Sequence, residues 1–263
     1  MDDPAMVPTV RDVAEDAFAY IEGPGIEFDR RDDLVLRNMP NPHPLFGMVL
    51  RPRLDDVDAG IAYARAWFGE RGRVAYSWFV ADSSQPNDLA DRLVAAGAIP
   101  DPDDPVYAGM VLRRPPDPVD GIEVRKVTTF EEHCGAVELT WRSFGFSEEQ
   151  KAELRPMLHD RWEQFRGQEP SDRFIGLVEG AIVGSGSAAY LPGCVYLLGG
   201  NVAEEARGRG VYRALVRARW DEAVARGTPA LVVQAGQMSR PILERLGFAT
   251  VCTVRAFLDA YAA

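Results

Sequence analysis

The stretch Val202-Ala203-Glu204-Glu205-Ala206-Arg207-Gly208-Arg209-Gly210-Val211-Tyr212-Arg213 has the residue types and spacing to do chemistry. It follows an apolar run that reads as a strand, and it opens a helix predicted over Arg207–Arg226. The first turn of a helix leaves backbone N–H groups without acceptors, and its positive dipole end attracts anions. Gly208 and Gly210 let the backbone approach a ligand closely. Capture of a phosphate-like anion is the chemistry this pattern predicts, with Glu204 and Glu205 turned to solvent. Two better-known anion loops are excluded. No GxxxxGK followed by Ser or Thr is present, and a GxGxxG register starting at Gly208 fails at Arg213.

The elements that must position this segment are legible around it. Ile122–Val127 alternates apolar and polar residues as a half-buried strand does. A helix is predicted over Thr129–Phe144, and a second from Ser147 through Trp162 towards Phe165. Strands over Arg173–Val178 and Ala181–Ala189 meet at Glu179-Gly180, a hairpin signal. Val195–Val202 is a strand interrupted by Gly199-Gly200, read either as a bulge or as an early end at Leu198. Ala230–Val233 is a buried strand, Ser239–Leu246 a short helix stopped by Gly247, and Val251–Leu258 a closing strand.

The earlier half reads as helices over Val10–Tyr20, Asp55–Phe68 and Pro86–Ala96, with strands over Val74–Val80 and Tyr107–Leu112. Between the halves, Arg113-Arg114-Pro115-Pro116-Asp117-Pro118 breaks regular structure, because proline removes donors and restricts its predecessor. The expected organisation is a domain over 1–114, a linker over 115–120 and a domain over 121–263. A short internal similarity links the halves: Trp78-Phe79-Val80, Leu89–Leu93 and Gly97 parallel Leu231-Val232-Val233, Ile242–Leu246 and Gly247.

The second half resembles the GCN5-related N-acetyltransferase (GNAT) superfamily. That family's pyrophosphate loop is [Q/R]-x-x-G-x-[G/A] after a strand ending in a V-x-P-E-like turn. Val202, Glu205, Arg207 and Gly210 match, whereas Tyr212 stands where Gly or Ala is usual. A second signature, L-Y-x-x-x-G-F, is met at Gly247-Phe248, but Leu243 occupies the tyrosine position. The resemblance covers roughly Ile122–Leu258. It implies an α/β fold (α+β mixed sheet) with two acyl-CoA N-acyltransferase-like domains, the N-terminal one degenerate and without a coenzyme loop.

The resemblance also implies acetyl-CoA as co-substrate and an amine of a small molecule or peptide as acceptor, attacked without a covalent enzyme intermediate. The implied coenzyme contacts are Gly200, Asn201, Val202, Arg207, Gly208, Arg209, Gly210, Val211, Tyr212, Arg213 and Ser239. No catalytic residue is assigned. Ser239 and Tyr196 are alternatives for the missing tyrosine, against simpler roles as a helix cap and a packing residue. Glu138, Glu163, Glu179 and His159 are distant candidates for a base. A catalytically eroded acyl-CoA-binding regulatory or scaffold protein is the rival reading.

Composition sets the outer limits. The chain has 263 residues, 46% hydrophobic and 26% charged, which suits one large or two modest globular domains. A net charge of -11 argues against nucleic acid as a partner. Cys134, Cys194 and Cys252 are scattered, as are His43, His133 and His159, so no metal site is expected. No apolar stretch has the length of a membrane span, and the first residues lack a signal peptide's basic and apolar regions. The cytoplasm is the default expectation.

Overall fold

A computed structural model describes residues 7–41, 43–143, 145–166 and 171–261. Along the chain run α1 (Val10–Asp16), β1 (Glu27–Arg30), β2 (Val35–Asn38), β3 (Gly47–Leu50), α2 (Val57–Gly69), β4 (Ala75–Ala81), α3 (Leu89–Ala95), β5 (Ile99–Pro100) and β6 (Val106–Leu112). There follow β7 (Glu123–Lys126), α4 (Phe130–Ser143), α5 (Glu148–Leu154), α6 (Leu158–Phe165), β8 (Ser171–Val178), β9 (Ala181–Leu191), β10 (Cys194–Val202), α7 (Val211–Ala225), β11 (Leu231–Ala235), α8 (Arg240–Arg245) and β12 (Ala249–Ala260).

Internal contacts divide the chain into two compact units, residues 1–111 with 234–263, and residues 112–233. The break at Leu112 falls beside the proline-rich linker, but the last thirty or so residues join the first unit rather than the second. The reason lies in β12. It pairs antiparallel with β4 from Val254↔Ala81 to Ala260↔Ala75, and with β6 from Ala249↔Val111 to Arg255↔Val106. Near its end Asp259, 1% exposed, accepts from Tyr76 Oη at 2.7 Å and from Arg65 Nη2 at 2.9 Å. The core of this unit gathers Phe68, Tyr76, Trp78, Leu89 and Leu93 with Phe257 of β12.

Three short antiparallel strands, β1 to β3, occupy a stretch to which the sequence reading assigns no element. β3 then runs parallel to β4 over only two residue pairs, Met48↔Ser77 and Val49↔Trp78. Beyond them backbone bonds close the gap, Leu54 N donating to Gln85 O and Gln85 N to Pro52 O. The following helix, α2, is capped by Asp56, whose carboxylate accepts from Ala59 N, and Asp58 lies in its first turn.

In the second unit β7, β8, β9 and β10 pair antiparallel, and β10 pairs parallel with β11 through Val195↔Leu231 and Tyr196↔Val232. The β3–β4 pair of the first unit has the same short parallel contact, which gives the weak sequence repeat a structural basis. Helix α4 covers one face, where Ala136 packs on Ile175 and Leu177. Helix α7 covers the other, with Val211 and Leu215 against Gly176 and Gly184. The single helix expected from Ser147 is broken into α5, a 3₁₀ turn over Arg155–Met157 and α6, because Pro156 interrupts the ladder. Phe144, the expected end of the preceding helix, lies outside the described residues.

A buried aspartate in the first unit and a half-buried histidine in the second contribute pH dependences of opposite sign. In the first unit Asp16 is 3% exposed, and burial pushes its carboxyl up to about 7 despite the Arg51 N–H it accepts. A raised carboxyl stabilises the fold below the unfolded value near 3.8, and that contribution is lost as pH rises through 7. In the second unit burial, then Arg173 and Arg161, push His133 down to about 4. A depressed histidine stabilises the fold above the unfolded value near 6.5, and that contribution is lost as pH falls towards 4. Asp16→Asn should therefore raise stability by a few kcal/mol at pH 8 and hardly at all at pH 4. His133→Gln should flatten the acid limb between pH 6.5 and 4. Denaturant melts of both variants across this range test the pair; parallel pH profiles for Asp16→Asn and wild type would contradict the first.

Candidate functional site

The geometry converges at the bulged end of β10. Its register with β9 shifts between Leu198 and Asn201, and Gly199 has φ +55°, so the Gly199-Gly200 interruption is a bulge inside the strand and not its end. The Asn201 side chain holds this bulge. It is 8% exposed, and its Nδ2 donates to Gly199 O at 3.1 Å and to Thr140 Oγ1 of α4 at 3.0 Å. Thr140 in turn donates to Ala136 O. A side-chain clamp from α4 thus fixes backbone that would otherwise be the loosest part of the strand. The sequence gives one signal for it, a buried-type amide at a position where the strand is losing its alternation.

After Val202 the chain makes a 3₁₀ turn over Glu204–Ala206, with Ala206 buried beneath and Glu204 and Glu205 exposed. The expected solvent orientation of these two acids is what the structure has. Glu205 meets Arg142 at 3.3 Å, both largely exposed, a contact of little energetic weight. Arg207, Gly208 and Arg209 form an exposed loop, and Gly210 sits at the N-cap of α7 with φ +88°. The helix therefore begins at Val211, four residues later than the sequence reading places it, because two left-handed glycines cannot continue a right-handed turn.

No side chain caps α7, and no acid lies in its first turn. The amides of Val211, Tyr212 and Arg213 have no carbonyl one turn back to accept them. Arg213 lies close by: a Cβ on Gly210 would stand 3.7 Å from its Nη2, and its buried Nε has no hydrogen-bond partner. Tyr212, the departure from the family loop, turns its ring onto the bulge. A Cβ at Gly200 would lie 2.6 Å from Tyr212 Cε2, so the glycine makes room for the ring. Burial raises the Tyr212 phenol above its ordinary value. On the next turns of the helix Arg219, 1% exposed, donates to Leu215 O and Ser187 O without a carboxylate partner. The i, i+4, i+8 series Val211, Leu215, Arg219 could have flagged it.

Ten of the eleven coenzyme candidates, Gly200 to Val202 and Arg207 to Arg213, belong to this unit and this end of β10. Ser239 belongs to the other unit, and its hydroxyl donates to Gly236 O at 3.3 Å instead of capping α8. Leu243 is fully buried and Tyr196 is 3% exposed in the middle of β10. The candidate bases are dispersed. Glu138 pairs with Arg155, Glu163 with Arg166, Glu179 forms the β8–β9 turn, and His159 stacks edge-on against Phe130. Among the described residues no group of His, Cys, Asp and Glu is arranged to hold a metal, and no helix is long and apolar enough to cross a membrane.

Residues 135–248 match the sequence profile of the acetyltransferase (GNAT) family. A search of curated proteins finds no match. Among solved structures the chain is similar to a GCN5-related N-acetyltransferase from Kribbella flavida, at 15% identity over 98% of both chains with a TM-score of 0.72. It is similar to a tandem GNAT protein from the clavulanic acid biosynthesis pathway, at 18% identity over 100% of this chain and 91% of that one, TM-score 0.66. A GCN5-related N-acetyltransferase from Sphaerobacter thermophilus aligns at 17% identity over 88% and 81%, TM-score 0.58. At these identities the structures establish the fold alone, and they do so over nearly the whole length. Residues 135–248 thus fit the GNAT family profile, and the fold of nearly the whole chain is shared with solved GNAT structures, one of them a tandem GNAT protein.

Proposed function

We propose that the protein transfers an acetyl group from acetyl-CoA to a primary amine, and that it holds a single coenzyme, at the N-terminus of α7. The observation that carries this reading is the contrast between two equivalent helix ends. In the second unit the N-terminus of α7 is uncapped, has no acid in its first turn and is opened by two left-handed glycines. In the first unit the N-terminus of α2 is closed by the Asp56 carboxylate, and the strand gap before it is bridged at Gln85. A pyrophosphate fits the first arrangement and is repelled by the second.

In this reading the amides of Val211 to Arg213, with Arg207, Arg209 and Arg213 nearby, bind the pyrophosphate. The bulged edge Gly200–Val202 orients the pantetheine arm, and the Asn201–Thr140 clamp keeps that edge in place. The bulge at Gly199-Gly200 is where a backbone amide could face a developing oxyanion. Acetyl-CoA supplies the activated acyl group; the amine nitrogen bonds to the acyl carbon as the carbon–sulfur bond breaks, and the thiol leaves with a proton from the amine. Ser239, whose hydroxyl donates to Gly236 O, belongs to the other unit, and the proposed set is drawn from the second unit.

The buried Leu243, where the family has tyrosine, supports the second reading, in which the coenzyme binds without turnover. Incubating the full-length protein with acetyl-CoA and a panel of primary amines, and following free thiol, separates the two. Amine-dependent thiol release supports the transferase. Stoichiometric coenzyme binding with no release for any amine supports the eroded module.

A further inference from the structure

In the second unit, on α4 and on β8, two side-chain nitrogens are buried with nothing to bind. His133 Nε2 and Arg173 Nη1 are both buried from solvent and lack a hydrogen-bond partner. The neighbouring acids are committed elsewhere. Asp172 accepts from Lys126 at 2.8 Å and from Tyr190 Oη at 2.6 Å. Glu132 takes Arg125 and the amide of Thr128. Buried donors without acceptors are rare and costly, most of all on a cation, so such a pair points to a missing partner.

The position of the pair ties it to the reaction. Arg173 on β8 stands opposite Ser187 on β9, which stands opposite Leu198 on β10. Residues directly opposite share a face of the sheet, and two strand spacings amount to about 10 Å. Leu198 immediately precedes the Gly199-Gly200 bulge. Arg173 shares its face with Ile175, two residues on, which packs under Ala136 of α4. His133 lies one turn before Ala136 on that helix. Rings pack beside His133: Trp162 of α6 is 5.4 Å from its ring, and Phe130 stacks on it at 6.5 Å.

We propose that Arg173 and His133 anchor the carboxylate of the amine acceptor, with Trp162 and Phe130 as walls, so that the acceptors are amino acids and related amino carboxylates. This rests on the acetyl-transfer reading above. A guanidinium fork matches a carboxylate in shape. Burial and the two arginines keep His133 uncharged at neutral pH, where its Nε2–H can donate without adding charge. One cation balances one carboxylate. A phosphate dianion would leave a net charge in a half-buried place. Arg161, exposed on α6 beside Trp162, lends long-range attraction.

The full-length protein tests this in two arms. In the first, without acetyl-CoA, the imidazole signals of the three histidines are followed by NMR and assigned with His133→Gln. Alanine, 4-aminobutyrate and 6-aminohexanoate are titrated, each against its amide, with inorganic phosphate alongside. At least one of the carboxylates should raise the apparent pKa of His133 by a unit or more in a saturable way, the amides should not, and Arg173→Gln should remove the effect. In the second, Arg173→Gln should raise KM for a carboxylate-bearing acceptor by at least tenfold and leave KM for acetyl-CoA unchanged. A saturable response in the first arm with no transfer to any amine would retain the carboxylate site and remove the transferase reading. No carboxylate response at His133, equal response to the amides, or a response to phosphate alone would overturn the proposal, and the wild-type titration decides this even if Arg173→Gln does not fold.

Discussion

Arg213→Glu should abolish coenzyme A binding and leave the chain folded. Arg213 is the third residue of α7, in ordinary helical backbone, so the change introduces no strain. A carboxylate in the first turn favours the empty helix by about 0.3–1 kcal/mol through the dipole. The same carboxylate opposes a pyrophosphate at the free amides and removes a guanidinium from beside them. A loss of at least about 100-fold in affinity is expected, near 3 kcal/mol at 1.4 kcal/mol per decade. The effects on the fold and on the ligand thus have opposite signs. Gly210→Asp is a poorer test of the same site. Gly210 has φ +88°, and a Cβ there would lie 2.9 Å from Val119 Cγ1, so that substitution strains the apo protein as well as blocking the ligand. Thermal melts with and without coenzyme A check the prediction. At a ligand concentration 100 times Kd the wild type gains about 2.7 kcal/mol and the variant almost nothing; an undiminished midpoint shift in folded Arg213→Glu would place the coenzyme elsewhere.

Asp259→Ala, four residues before the last position of the sequence, should destabilise the unit built largely from its beginning. The carboxylate is 1% exposed and receives Tyr76 Oη and a two-pronged Arg65. Removing it leaves the Tyr76 hydroxyl buried without an acceptor and frees β12 from α2. Breaking one side of such a pair costs about 3–5 kcal/mol. Part of the Arg65 side chain reaches solvent, at 32% exposure, which puts the expectation at the lower end of that range. Asp259→Asn keeps an acceptor for Tyr76 and should cost less. Amide exchange should show the loss in β4, Ala75–Ala81, whose partner strand is β12. Unchanged β4 protection in Asp259→Ala would contradict the assignment of residues 234–263 to the first unit. By the same logic a chain beginning near Asp120 lacks both partners of β12, exposes Val254, Ala256 and Phe257, and should not match the stability of the whole protein.

The elements with strong local signals were legible in the sequence. The hairpin at Glu179-Gly180 was, because both residues take positive φ and a two-residue primed turn favours such pairs. The glycine loop before α7 was legible because its glycines and its position between strand and helix are local properties. The bulge was readable only as an alternative, since Gly199-Gly200 alone does not reveal the Asn201–Thr140 clamp that makes it a bulge. β1 to β3 escaped because each has four residues, too few to display a period. The allegiance of β12 to the first unit was invisible for a different reason. Strand partners are chosen by long-range pairing and by contacts such as Asp259 with Arg65, 194 residues apart, and no window of sequence contains both. The unpaired His133 and Arg173 were likewise separate residues until β8 and α4 were packed together.

The central claim, one coenzyme held at the N-terminus of α7, is tested most directly by calorimetric titration of the full-length protein with coenzyme A, for wild type and Arg213→Glu. The account predicts saturable binding of one coenzyme per chain for wild type, and binding weakened at least about 100-fold in the variant. Two coenzymes per chain, or equal affinity in wild type and Arg213→Glu, would contradict it.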